Sequence, residues 1–218
     1  MLIQDLNKLN FKSLSLAKSG RTVKLIVDKQ PINISIPCMY IPFGLNKIKK
    51  QWSNFEEYSV DCYLSNNSNY LNESKEFDNK MNELNDAIFN ISKENIQLFN
   101  VPNSDDLTYS SFYRDNKTFP KLLKLHLPRD TNGNFTTMFF DENSNPIVVN
   151  ENNIETILSK KTSFKCIMTC SKVWIYQNKI GSIWNIVQLK LISNTGASTS
   201  NSNQTTSEES IYTQSLID

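Results

Sequence analysis

Short runs of alternating or β-branched residues recur through most of this 218-residue chain, each cut off by a turn signal, and that pattern points to a mainly β fold. Residues 11–17 (FKSLSLA), 22–27 (TVKLIV) and 32–36 (INISI) read as an antiparallel meander that turns at Ser19-Gly20 and between Asp28 and Pro31. Pro37 and Pro42 are expected to break regular pairing around Cys38 to Ile41. A further strand over 58–64 places Tyr58, Val60, Cys62 and Leu64 on one face.

One stretch has a different period. Phe77, Met81, Leu84, Ile88, Ile91 and Phe99, with Ile96 beside them, recur at spacings of three and four, which predicts an amphipathic helix from about 74 to 98. Its apolar stripe either covers a sheet or forms a seam between two copies of the chain. Strands resume at 120–127; Asn132-Gly133 then signals a hairpin that returns through Phe135 to Phe140. A turn between Asp141 and Pro146 and a short helix near 154–158 lead into a final long pair, 164–176 and 183–192. From 193 to 207 almost every residue is Ser, Thr, Asn, Gln or Gly, too little apolar surface to fold. The expected organisation is one folded body over 1–192 and a disordered tail over 193–218.

Apolar residues make up 39% of the chain, enough for one buried core. The net charge of +1 hides an asymmetry, because no Lys or Arg lies beyond Lys190. Setting aside Glu208, Glu209 and Asp218 leaves 19 acidic against 23 basic groups, so the body carries +4. No cleavable leader is read at the N-terminus, and no window approaches the roughly 20 apolar residues of a membrane span. A soluble, intracellular protein without a membrane partner is expected.

Enzyme chemistry finds little purchase. The one histidine, His126, lies in the strand LLKLHL without a nucleophile arrangement around it, and the five glycines form no phosphate loop. Cys166 and Cys170 sit on one strand, about 13 Å apart, too far to share a zinc ion or a disulfide. Cys38 and Cys62 are scattered, and all four read as small buried hydrophobes. No catalysis, metal or cofactor is expected.

The stretch KVWIYQNKIGSIWNIVQLKL, 172–191, is more specific. Read as a hairpin turning between Gln177 and Gly181, it divides by the period of two into unlike faces. Val173, Ile175, Ile183, Val187, Leu189 and Leu191 form an aliphatic side. Lys172, Trp174 and Tyr176, with Trp184, Ile186, Gln188 and Lys190, form an aromatic and cationic one. Unpaired bases stack on flat aromatics while their backbone needs countercharge, so such a face suits single-stranded nucleic acid. The competing reading buries both tryptophans under the helix.

That segment, extended back to CIMTC, together with IPCMYIPFGLNKIKKQW, FPKLLKLHLPRD and NGNFTTMFFDEN, resembles the single-stranded DNA-binding proteins of nucleocytoplasmic large DNA viruses. The resemblance spans roughly 20–192 in the same order. Its most specific part is a tryptophan, a lysine-glycine turn, a second tryptophan and a Val-Gln. It implies an OB-type antiparallel β-barrel with one long interposed helix and one short helix. It also implies a protein that coats and protects single strands during viral DNA replication, repair or recombination, at the host-cell site of that replication. Bases would stack on Trp174 and Trp184 with Tyr176 assisting, while Lys172, Lys179, Lys190 and Lys165 neutralise phosphates. Viral replication proteins would engage the tail. Ile180 stands where the family often has Phe, and the tail is less acidic than many. RNA binding, a transcription role, or a non-catalytic interaction role are the alternatives.

Overall fold

The computed structural model describes residues 3–51, 55–65, 71–101, 106–116 and 119–193. It is mainly β. Strands β1 (Leu14–Ser19) and β2 (Thr22–Val27) form the first hairpin, followed by β3 (Gln30–Pro31), β4 (Asn33–Tyr40), β5 (Leu45–Ile48) and β6 (Glu57–Leu64). Residues 11–13, expected to begin the first strand, form a 3-10 turn instead. The Asn10 side chain caps that turn by accepting from the Lys12 N–H.

Helix α1 (Leu71–Glu94) comes next, then a 3-10 turn over Ile96–Phe99 and the strands β7 (Thr108–Tyr109), β8 (Tyr113–Asn116) and β9 (Phe119–Leu127). Strands β10 (Met138–Phe140) and β11 (Pro146–Ile147), helix α2 (Ile154–Ile157), and the long pair β12 (Ser163–Tyr176) and β13 (Lys179–Ile192) complete the order.

The pairings make a circuit. β4 pairs β12 and β6, β6 pairs β9, β9 meets β13 in a parallel bridge between His126 and Asn185, and β13 pairs β12 along its length. Inward-facing positions fill the space within. Ile34 and Ile36 of β4, Tyr58, Val60 and Cys62 of β6, and Leu123, Leu125 and Leu127 of β9 are all buried. The expected face of β6 therefore holds, with Leu64 half-buried at its end.

The stripe of α1 is spent inside the chain. Phe77, Met81, Leu84 and Ile88 are buried where the helix packs on β1, β4 and β13. Burial of such side chains stabilises by roughly 1.5–3 kcal/mol each. The helix is broken at Asn95, and Asn100 in the left-handed conformation ends the 3-10 turn that follows.

Two further expectations fail, each for a backbone reason. Pro37 does not interrupt β4, because the strand bulges there. Met39 pairs Phe164 while Ile36 pairs Cys166, and a bulge is where a missing N–H is tolerated. The Asn-Gly turn does not return a strand against β9. Asp130 Oδ1 accepts from the N–H groups of Asn132 and Asn134, closing a local loop, and only Phe135 bridges back, to Arg129. β10 instead runs parallel to β13, at Met138 opposite Gln188.

Candidate nucleic-acid interface

The β12–β13 hairpin turns in two residues. Gln177 and Asn178 both have positive φ, 47° and 57°, and Tyr176 pairs Lys179 directly. Paired positive φ values match the twist of the flanking strands, so the turn is shorter than the span from Gln177 to Gly181 that composition pointed to. Trp174 therefore lies opposite Gly181, and Lys172 opposite Ile183.

The two-residue turn sets the faces near the tip, and two bulges reverse them further along. Ser171 is an extra residue on β12 and Val187 an extra residue on β13, and each reverses the alternation of its strand. Trp184 pairs Cys170 and points into the core with Ile180, Ile186 and Val173. Its indole is 1% exposed, donates from Nε1 to Ser182 Oγ at 2.9 Å, and meets Phe112 edge to face at 5.9 Å. Trp184 is thus a core residue with no ring face open to a base. Ile183 is outside and Ile186 inside, the reverse of the faces read for the longer turn.

The other expected residues separate into two groups. Lys172, Trp174, Tyr176 and Lys179 share the outer face near the hairpin tip, with Tyr176 67% exposed, both lysines exposed and Trp174 half-buried. Lys165 and Lys190 pair with each other at the opposite end of the hairpin. Nine residues, about 30 Å of strand, separate Lys165 from Trp174.

Gly181 sets the position of the Trp174 ring. A Cβ there would lie 2.3 Å from the indole Cζ2, so the ring rests directly on backbone that only glycine leaves bare. The outer strip continues along β13 through Ile183 to Asn185, where Ser171 Oγ donates to the Ile183 carbonyl at 3.1 Å.

Ile183 and Asn185 border a recess of about 370 Å³ whose other walls include Lys50, Tyr58, His126 and Arg129. Burial, then the nearby Lys124, holds the His126 imidazole below its ordinary pKa. Cations here are compensated. Lys50 is paired with Glu57 at 2.6 Å and Arg129 with Glu151, and the Arg129 guanidinium lies over the rings of Phe55, Tyr58 and Phe135. Arg114 likewise pairs Asp61 at 2.8 Å on the outer face of β6. Sequence reading placed His126 in a strand but not at this recess, since no local signal reports that β9 and β13 meet.

The four cysteines are free and buried. Burial pushes the Cys170 thiol up to about 12 and Cys166 well above its usual range, so neither forms a thiolate readily. Among the described residues no group of three or more His, Cys, Asp or Glu side chains converges as a metal site.

The chain matches no family model and no curated protein. Solved structures similar to it include the single-stranded DNA-binding protein of bacteriophage Enc34 in complex with single-stranded DNA. That match has 10% identity, covers 84% of this chain and 97% of that one, and has a TM-score of 0.42. Another is gp2.5, the single-stranded DNA-binding protein of bacteriophage T7, at 11% identity over 76% of this chain and 97% of that one, with a TM-score of 0.45. Similarity this low assigns neither fold nor ligand to this chain.

Proposed function

We propose that this protein binds single-stranded DNA, without reading its sequence, along the outer face of the β12–β13 hairpin. The observation that carries the reading is the Trp174 indole laid on Gly181, with Tyr176 exposed beside it and Lys172 and Lys179 on the same face. Aromatic planes accept any base, and lysines supply countercharge without base discrimination. Trp184 supports the hairpin from the core side, and Lys165 and Lys190 lie too far from the tip to share a nucleotide with Trp174.

The strand circuit β4, β6, β9, β13 and β12 is read as an OB-type barrel, with α1 interposed between its second and third strands. In such a barrel the turn between β12 and β13 joins the fourth and fifth strands, one of the loops that OB-folds direct at oligonucleotides. The resemblance to viral single-strand binding proteins supports the same assignment. The role that follows is non-enzymatic coating of strands exposed in viral DNA replication, repair or recombination, inside the host cell.

Filter binding to matched single-stranded DNA, duplex DNA and single-stranded RNA tests this. Single-stranded DNA should bind most tightly, duplex least. Tighter binding of RNA than of DNA would transfer the function to RNA, and failure to retain any single strand would reject it.

A further inference from the structure

Beside the outer strip, the edge of β12 meets the N-terminal hairpin through one strand pair, Val173 with Val23. A recess of about 270 Å³ opens at this junction, with Lys18, Arg21, Lys172 and Trp174 in its wall and Phe99 and Asn100 at its border. Lys18 belongs to β1. Arg21 lies in the two-residue turn between Ser19 and Thr22, which pair with each other.

Among the described residues the charge here is uncompensated. Lys18, Arg21 and Lys172 are exposed, and none forms a salt bridge among the described residues. Lys18 Nζ donates to Asn100 Oδ1 at 2.9 Å, a neutral partner. Among the described residues no carboxylate lines the recess, whereas Lys50 and Arg129 in the recess at His126 each hold a glutamate. Three like charges around one concavity repel one another, and an anion entering it relieves that repulsion.

We propose that this recess is a phosphodiester subsite, so that the N-terminal hairpin forms part of the nucleic-acid path. The inference rests on the single-strand reading above and gives the bound strand a path. A base stacks on Trp174, the backbone passes Lys172, and the following phosphates cross the edge of β12 to Arg21 and Lys18. Arg21 offers a planar fork that fits two phosphate oxygens, and Lys18 a movable point charge. Gly181 contributes by holding the indole between strip and recess.

The test is the double variant Lys18→Gln/Arg21→Gln, with Tyr176→Ala as a separate reporter on the strip. Affinity for a fluorescent oligothymidylate is measured across a salt series. Two lost phosphate contacts should flatten the slope of log K against log[salt] by about 1.4, about 0.7 per contact, and weaken binding about 25-fold at 0.1 M salt. Melting should not change, and Lys18→Arg/Arg21→Lys should keep the wild-type slope. A double variant with wild-type affinity and slope overturns the subsite, and if Tyr176→Ala still weakens binding, the strip reading survives that failure. A loss of affinity without a change of slope also overturns it, because phosphate contact must appear in the salt dependence. Wild-type protein that binds no oligothymidylate removes the strip reading and the subsite together.

Discussion

Trp174 and Trp184 are ten residues apart in one hairpin and take opposite roles, because the two-residue turn sets Trp174 opposite Gly181, three residues from Trp184, an odd count that places one outside and the other inside. Trp184→Ala should lower stability by about 3–5 kcal/mol, as expected for a fully buried large side chain, with unchanged affinity per folded molecule. Trp174→Ala should weaken single-strand binding by about 1–3 kcal/mol at a smaller cost in stability. Chemical denaturation and anisotropy on the same two proteins check both, and interchanged results would mean that the faces are assigned the wrong way round. Gly181 offers a finer probe. A methyl group at that position must displace the indole, so Gly181→Ala should impair binding in the manner of Trp174→Ala while both aromatic rings remain.

At the scale of the element, β9 joins the two sides of the site. His126 pairs opposite Ser59 of β6 and bridges Asn185 of β13, and the charged groups near it are Lys124, Lys50, Glu57 and Asp61. Its pKa is lowered in the folded chain by burial and by Lys124, from an ordinary 6.5. Above that value both folded and unfolded states hold neutral imidazole, and stability is complete. As the pH falls below it, the unfolded chain takes up the proton first, so stability declines until the folded-state pKa is reached. His126→Gln should remove this part of the acid-side decline, seen as a smaller difference in urea midpoint between pH 7.5 and pH 5.5 than in wild type. An equal difference in the two proteins would place the responsible group elsewhere. Arg129, held among three rings and bonded to the Gly133 and Glu56 carbonyls, fastens the 128–135 loop to the segment entering β6.

For the whole molecule, charge distribution matters more than net charge. The body carries only +4, yet Lys18, Arg21, Lys172 and Lys179 stand at one end of the hairpin, whereas Lys47, Lys50, Arg114 and Arg129 are each paired with a carboxylate. Four phosphate contacts predict a salt slope of about −3 for the wild-type chain. The tail expected over 193–218 falls outside the described residues beyond Ser193, and its three acidic groups and apolar end make it a candidate for weak competition with DNA and for contact with replication proteins. Truncation after Ser193 should leave melting unchanged and raise single-strand affinity a few-fold, most at low salt. A truncation that destabilises the protein would make the tail part of the fold. Much of the plan was legible in the sequence alone: the strand-rich body, the helix stripe of Phe77, Met81, Leu84 and Ile88, and the long final hairpin with its aromatic and cationic residues. These are written in local periodicity, which a strand or helix expresses wherever it packs. The face of Trp184, the parallel course of β10 beside β13, and the meeting of Lys18 and Arg21 with Trp174 were decided only by tertiary structure. The length of a turn is set by the backbone its residues adopt and by the pairing across it, and a junction of distant hairpins is a contact across more than 150 residues, so neither is marked by the alternation along one strand.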